Sequence, residues 1–405
     1  MNKAFRQGIE IIERLEENGH EAYFVGGSVR DTLMDRVIGD IDIATSATPD
    51  EIQTIFPKTV DVGAEHGTII VITSEQESFE VTTFRTDGNY TDNRHPDEVV
   101  FVKSLQEDLK RRDFTMNAIA MTKHGKILDP FDGEKDINRK VIRTVGKATE
   151  RFREDALRML RAVRFSSQLS FSLEAATFLG IKEDNVLLEN VSTERKTVEM
   201  EKLLRGQGVK YGLELLVSTG LYTYLPKLGG KEEQLLKLGD VPLHHLNSLS
   251  AIWTVLGHVL EIGEQEAERF LTSWKLPKKI SKAVVENLWM MEKFQQDGWE
   301  KESIYRAGLE RTVEAHQVLS VLGLDELASF AKIHEIYNNL PIYSLKDVVF
   351  NGHDLMEVAG GKQGKWISEI LSDMEMAIIY EETKNERVAL KEWVYNWLQK
   401  YDPNY

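Results

Sequence analysis

The chain has 405 residues, 41% hydrophobic and 29% charged, a balance that requires folded structure and excludes a disordered or fibrous protein. It contains no cysteine, which removes disulfides, thiolate metal sites and a cysteine nucleophile together. A formal charge of −16 argues against indiscriminate binding to nucleic acid, and no run of about 18 apolar residues suggests a membrane span.

The first twenty residues, MNKAFRQGIEIIERLEENGH, have the spacing of an amphipathic helix and lack signal-peptide order, so a cytoplasmic location is expected. Short β-type runs follow, AYFVGG, GDIDIAT, GTIIVIT and SFEVTTF, separated by Gly, Asp and Pro as mixed α/β structure requires. FVGGSVRD (24–31) predicts a strand running into a helix that starts near Ser28. Gly26 and Gly27 let a ligand approach the backbone, and the free N–H groups of the helix start favour an anion. Arg30, one turn in, offers a bidentate contact to phosphate. A tight strand-to-helix turn would account for the same residues.

GDIDIATS (39–46) places Asp40 and Asp42 on alternate positions, which on a strand share one face. Two carboxylates this close call for a divalent cation, unless the strand is a half-exposed edge with solvated aspartates. Glu80, in FEVTTF, is either a supporting third carboxylate or an exposed strand residue. The polar stretch TFRTDGNYTDNRHP (83–96) predicts a mobile loop. Residues 101–165 carry 16 Lys and Arg against 10 Asp and Glu, so one segment of an acidic chain is suited to an anion.

From about residue 150 onward the spacing is helical almost throughout, in EDALRMLRAVRF, TVEMEKLLRG, EIYNNLPIYSL and WISEILSDMEMAIIYEE. On the helix predicted through EDALR, Asp155 and Arg158 are three apart and neighbours on the surface. Cytosine and adenine each present an exocyclic amine donor beside a ring-nitrogen acceptor, whereas uracil and guanine present a carbonyl beside a ring N–H. An adjacent carboxylate and guanidinium therefore fit C and A and mismatch U and G, although a surface ion pair has the same spacing. Arg161 and Arg164 continue the series. Steps of three lag the helical turn by about 60° each, so Arg164 should point away from Asp155 and Arg161 is the safer contact. His353–Asp354 reads as the chemistry of a helix start, His244–His245 as a loop doublet, and the tryptophans of SWKLP, GKWIS and KEWVYNW as core anchors. The lysines of GGKQGKW (360–366) are candidates for contacts to an RNA backbone.

The Gly-Gly turn followed by Asp-x-Asp resembles the signature of the nucleotidyltransferase superfamily. LKRRDFTMNAIA (109–120), LDPFDGEKDI (128–137), REDALRMLRAVRF (153–165) and ERKTVEMEKLL (194–204), in this order, resemble the bacterial class II tRNA nucleotidyltransferases, the CCA-adding enzymes, over about residues 22–205. The resemblance implies an α+β fold, with a polymerase β-like nucleotidyltransferase head of mixed sheet at 1–145. It further implies an all-α neck at 146–210, body at 211–330 and tail at 331–405, the tail gripping tRNA. The implied activity adds or repairs the 3′-terminal CCA of tRNA from CTP and ATP without a nucleic-acid template, releasing pyrophosphate. Asp40 and Asp42 would be the catalytic residues, holding Mg²⁺. Gly27, Arg30, Arg112, Asp155, Arg158, Arg161 and Arg164 would bind the nucleotide. Asp155 and Arg158 would act as the template supported by Glu154, and Asp113 would orient its segment; adjacent Arg111 reads equally as a binding residue or as a solvated charge facing RNA. The stretch 83–96 resembles the family's flexible loop, keeping Arg85, Asp87, Tyr90, Asp92 and Arg94, with His95 where many relatives carry arginine. The partners implied are tRNA, CTP and ATP, with no membrane; a homodimer stays open. A bacterial poly(A) polymerase or a catalytically inactive RNA-binding relative are the alternatives. DVGAEHGTIIV and the modest basic charge favour the CCA enzymes over the first, and the intact Asp pair, Gly pair and EDALR box disfavour the second.

Overall fold

The computed structural model describes residues 3–88, 99–358 and 366–401. The chain forms two compact units, one of Met1–Asp240 with Ser273–Lys275 and one of Val241–Thr272 with Leu276–Tyr405. The first unit opens with α1 (Lys3–Glu17), β1 (Ala22–Val25), α2 (Gly27–Leu33), β2 (Asp42–Thr45), α3 (Pro49–Ile55), β3 (Thr59–Gly63), β4 (Thr68–Ile72) and β5 (Ser78–Thr83). It continues with β6 (Arg85–Asp87), β7 (Val99–Phe101), α4 (Leu105–Lys110), β8 (Ala120–Met121), β9 (Ile127–Leu128), α5 (Gly133–Arg139) and β10 (Val141–Ile142). Helices then dominate: α6 (Ala148–Glu154), α7 (Leu157–Leu169), α8 (Ala175–Asp184), α9 (Thr193–Leu204), α10 (Val209–Ser218) and α11 (Glu232–Leu238), with the short β11 (Ser172–Leu173) between α7 and α8. This is the α+β head and helical continuation expected from the pattern.

Seven strands form one sheet in the order β3-β4-β5-β2-β1-β8-β9. β2 pairs parallel with β5, while its other neighbour β1 is antiparallel, so the sheet is mixed. Alternation sorts the two faces. Phe24, Ile43, Val81 and Ile69 are register partners across four strands and are fully buried. Phe5 of α1 closes on Phe24 edge-to-face at 4.8 Å, so the amphipathic first helix covers this face. The opposite face carries Val25, Ala44 and Ala120, packed with Phe84, Leu109, Ala118 and Val145. Asp42 belongs to this second face, beside Val25 on one strand and Glu80 on the other.

Three differences from the sequence reading have local causes. Asp40 precedes β2, so only Asp42 of the aspartate pair is on the strand. The helix read through EDALR is two helices, because Asp155 adopts extended geometry (φ −139°, ψ 104°) between α6 and α7. β3, not anticipated, is an edge strand whose Val60 and Val62 face solvent, reversing the usual cue. β6 lies within the stretch 83–96 read as a mobile loop and pairs antiparallel with β7, so the start of that stretch is a strand. Tyr90, Asp92, Arg94 and His95 of that stretch lie outside the described residues, as do the lysines 362 and 365.

The second unit is helical among its described residues: α12 (Leu249–Val259), α13 (Glu264–Ser273), α14 (Lys278–Asp297), α15 (Lys301–Val321), α16 (Ser329–Asn338), α17 (Gly352–Val358), α18 (Trp366–Ile379) and α19 (Arg387–Tyr401). α16 stops at Asn338, so EIYNNLPIYSL is helical only in its first part. Asn287 of α14 is fully buried and its amide nitrogen donates to Thr254 of α12 (3.1 Å) and Glu314 of α15 (2.8 Å), tying three helices together. Asn351 caps α17 by accepting from the backbone N–H of His353 (2.8 Å) and of Asp354 (3.3 Å), in keeping with the helix-start reading. Of the tryptophans read as anchors, Trp274 is fully buried, whereas Trp366, Trp393 and Trp397 are half-buried. Among the described residues no helix is long and apolar enough to cross a membrane.

α7 is the spine of the helical part of the first unit, packed against both α9 and α10. The approach depends on Gly206, where an added Cβ would lie 2.1 Å from Ser167 Oγ and 2.6 Å from its carbonyl oxygen. Ser167 cannot give way, since it is fully buried and its hydroxyl donates to the Leu203 carbonyl at 2.6 Å. Gly206→Ala should therefore destabilise the protein by about 1–3 kcal/mol, read as a lower urea midpoint at unchanged slope.

Candidate active site

One cleft of about 720 Å³ in the first unit gathers every candidate site residue: Gly27, Arg30, Asp40, Asp42, Arg112, Asp155, Arg158, Arg161 and Arg164. Its acidic end is built by β2 and β5. Asp42 stands opposite Glu80 in the parallel register. Burial, then Glu80, then Asp40 push the Asp42 carboxyl up to about 6, against the opposing pull of Arg112. Glu80, left open by the sequence, thus faces the same space. Gly26 closes this end with φ 72°, a conformation that suits glycine, and a Cβ there would meet Arg112 Nη1 at 3.2 Å and Asp42 Oδ2 at 3.5 Å. The backbone turn therefore lies directly against both charges.

The basic wall is organised by buried carboxylates. Asp108, 1% exposed, holds Arg111 at 2.8 Å and Arg112 at 3.2 Å. Burial would raise its pKa, yet the two arginines bring it below the ordinary carboxylate value. Arg111, left open by the sequence, is consequently pinned, and its carbonyl accepts from Arg158 Nη2 at 3.0 Å. Asp113 accepts from Arg161 at 2.7 and 2.9 Å and from Asn117 at 3.1 Å. Burial opposes its ionisation, but Arg161 and Asn117 hold it down to about 2. Asn117 also accepts from Arg30 Nη1 at 2.9 Å, while Arg30 donates from Nε and Nη2 to Asp31. These contacts fix the second turn of α2 to the segment after α4.

Asp155 and Arg158 are both in the cleft, but their side chains are not paired with each other. Asp155 Oδ2 accepts from Arg195 Nη2 at 2.7 Å and Oδ1 accepts from the Leu157 N–H at 3.1 Å. Arg158 Nη1 donates to Glu154 at 2.6 Å, the supporting residue named from the sequence. Arg164 overturns the expectation that it would point away. It lies in the cleft, buried over the Phe165 ring at 3.6 Å and bonded to Glu199 at 2.6 Å. The helical-wheel argument used Asp155 as its origin, and Asp155 is outside α7. Burial lowers the Arg164 pKa, opposed by Glu199.

Arg195, Glu199 and Lys202 were not singled out from the sequence. Their spacing of four and three places them on one face of α9, and α9 packs on α7, the helix of the arginine series. The signal was present in ERKTVEMEKLL, but a charged face is ordinarily solvated.

Among the described residues no group of three or more His, Asp or Glu side chains is arranged to hold a metal ion alone. The donor set still fits Mg²⁺, which keeps several waters and takes one or two carboxylates together with substrate phosphates. A carboxyl raised by burial and by neighbouring acids, as at Asp42, is what such a cation relieves.

Family models match three stretches of the chain: a poly A polymerase head domain at 22–143, a probable RNA and SrmB-binding site of polymerase A at 170–229, and a putative tRNA nucleotidyltransferase domain 2 at 244–394. The CCA-adding enzyme of Bacillus licheniformis is 47% identical over 397 residues, covering 97% of this chain and 98% of its own. That of Bacillus subtilis gives the same identity and coverage. The crystal structure of the Bacillus stearothermophilus CCA-adding enzyme in complex with CTP superposes with a TM-score of 0.92 at 42% identity, covering 100% of both chains.

Glu199 and Arg164 are 5% and 7% exposed, so removing the acid strands a buried guanidinium. Glu199→Ala should cost about 3–5 kcal/mol of stability in urea unfolding, whereas Glu183→Ala, at an exposed ion pair, should cost about 1 kcal/mol or less.

Proposed function

Because the chain belongs to the family of CCA-adding enzymes, we propose that it adds or repairs the 3′-terminal CCA of tRNA from CTP and ATP through the cleft of the first unit. One observation carries the assignment to this cleft: the glycine turn, the acidic pair and the selector residues converge there although they are spread over about 130 residues of sequence.

The reaction is attack of the tRNA 3′-hydroxyl on the α-phosphate, with pyrophosphate leaving. Asp40 and Asp42 would hold Mg²⁺, with Glu80 beside them, and the metal would supply the charge that activates the attacking oxygen and neutralises the leaving one. The Gly26–Gly27 turn lets the triphosphate lie against the backbone at the start of α2, and Arg112 sits within reach of the same point. Arg161 and Arg164 extend the phosphate-binding wall, each held in place by a buried acid. Asp155 accepts from the exocyclic amine and Arg158 donates to the ring nitrogen, which selects C and A over U and G. Asp155 Oδ2 then has to share or exchange its bond with Arg195.

We place the tRNA grip in the helical second unit, supported by the tRNA nucleotidyltransferase model that matches 244–394, with recognition through shape and phosphates. A cytoplasmic location and dependence on Mg²⁺ belong to the same proposal.

Asp42→Ala should abolish addition of C and of A, at least about a thousandfold, while tRNA affinity stays within about threefold, measured by incorporation into tRNA lacking its CCA end and by filter binding. Normal C addition would exclude Asp42 from the metal site. Asp155→Ala should reduce discrimination against UTP more than it raises the KM for CTP; unchanged rejection of UTP would refute the template role.

A further inference from the structure

Each arginine described above along the cleft wall is held by an acidic side chain. Lys202 lines the same cleft and, among the described residues, makes no ion pair or hydrogen bond. Paired guanidiniums bring little net charge to an incoming anion, because each carries its neutralising acid with it. An exposed ammonium without an acid presents its full charge. The position of Lys202 is also defined. It lies seven residues after Arg195 on one face of α9, which is about 10.5 Å along the helix. Arg195 grips Asp155, the residue proposed to meet the base, so α9 runs beside the cleft from the base-selecting end past Glu199 to Lys202.

We infer that Lys202 is a phosphate contact of the active site, taking a phosphate group of the incoming triphosphate or of the tRNA primer end. This rests on the CCA-adding reading. Lysine suits the role as a compact point charge on a flexible stem, able to follow a phosphate whose position changes between successive additions. A lysine near a helix C-terminus has a second use, a modest interaction with the helix dipole, and that use predicts loss of stability without loss of substrate affinity.

The test uses the full-length enzyme and tRNA lacking its CCA end, with separate titrations of CTP, of ATP on tRNA ending in CC, and of tRNA. Lys202→Ala should raise KM about tenfold with kcat within about threefold, and Lys202→Arg should restore most of the loss. A rise in KM for both CTP and ATP assigns the contact to the triphosphate; a rise confined to tRNA assigns it to the primer. Either rise should shrink as salt is raised, since screening weakens an exposed contact. If all three KM values are unchanged in Lys202→Ala, or only the melting temperature falls, Lys202 is not a phosphate contact. A wild-type enzyme that adds neither C nor A would overturn the CCA reading itself, a result distinct from any effect of Lys202.

Discussion

A slip of one residue in the pairing of β2 would invert the molecule's chemistry. Asp42 would turn into the apolar face that holds Ile43, and Ile43 would take its place beside Glu80. The register is fixed by burial: Ile43 is fully buried in a row with Phe24, Val81 and Ile69, and the slip would take it out of that row and put the Asp42 carboxylate into it. Losing the Ile43 burial costs about 1.5–3 kcal/mol, and setting a carboxylate among apolar side chains without a partner adds to that cost. The hydrophobic row therefore forces the carboxylates together, and the burial and crowding that raise Asp42 are tolerated as the condition for cation binding.

The basic side of the cleft obeys a complementary constraint. Arginines that are mostly buried cannot be left bare, since an isolated buried charge costs several kcal/mol. Asp108, Asp113 and Glu199 meet this need for Arg111 and Arg112, for Arg161, and for Arg164. Such pairs add little net stability, but they hold planar guanidiniums at set positions before any ligand arrives. That ordering is what a phosphate-binding wall requires. It also reconciles an acidic protein with anionic substrates: the charge of the whole chain matters less than the local orientation of N–H donors.

The site residues were legible in the sequence because their spacing is local: Gly26 and Gly27 before a helix, Asp40 and Asp42 two apart, and the Asp155–Arg164 series. Several of their partners were not, because those come from distant segments. Arg195 reaches Asp155 from 40 residues away, Glu199 reaches Arg164 from 35, and Arg161 reaches Asp113 across 48. The helix break at Asp155 was hidden for a different reason. No proline or glycine marks it, and the apolar spacing continues through it; the Asp155 side chain accepting from the Leu157 N–H offers the backbone an alternative to helix. The head's strands were read where apolar residues alternate inward and missed at β3, where the valines face solvent.

The break gives the proposed base selector a property that a continuous helix would deny it. On a regular helix Asp155 would point along the surface with its neighbours, and its carboxylate would pair with Arg158 as a surface ion pair. Displaced to the junction, it engages Arg195 and the start of α7, leaving Arg158 to be aligned by Glu154 and the Arg111 carbonyl. A base that binds between them has to satisfy both groups at once. Uracil would set a carbonyl oxygen against the carboxylate and a ring N–H against the guanidinium, leaving two desolvated groups in conflict. Such mismatches reject a substrate far more strongly than a missing methylene does, because the site's polar groups stay unsatisfied. Discrimination by hydrogen-bond polarity therefore suits a site that must accept bases as different in size as cytosine and adenine, where a pocket defined by shape alone could not serve both.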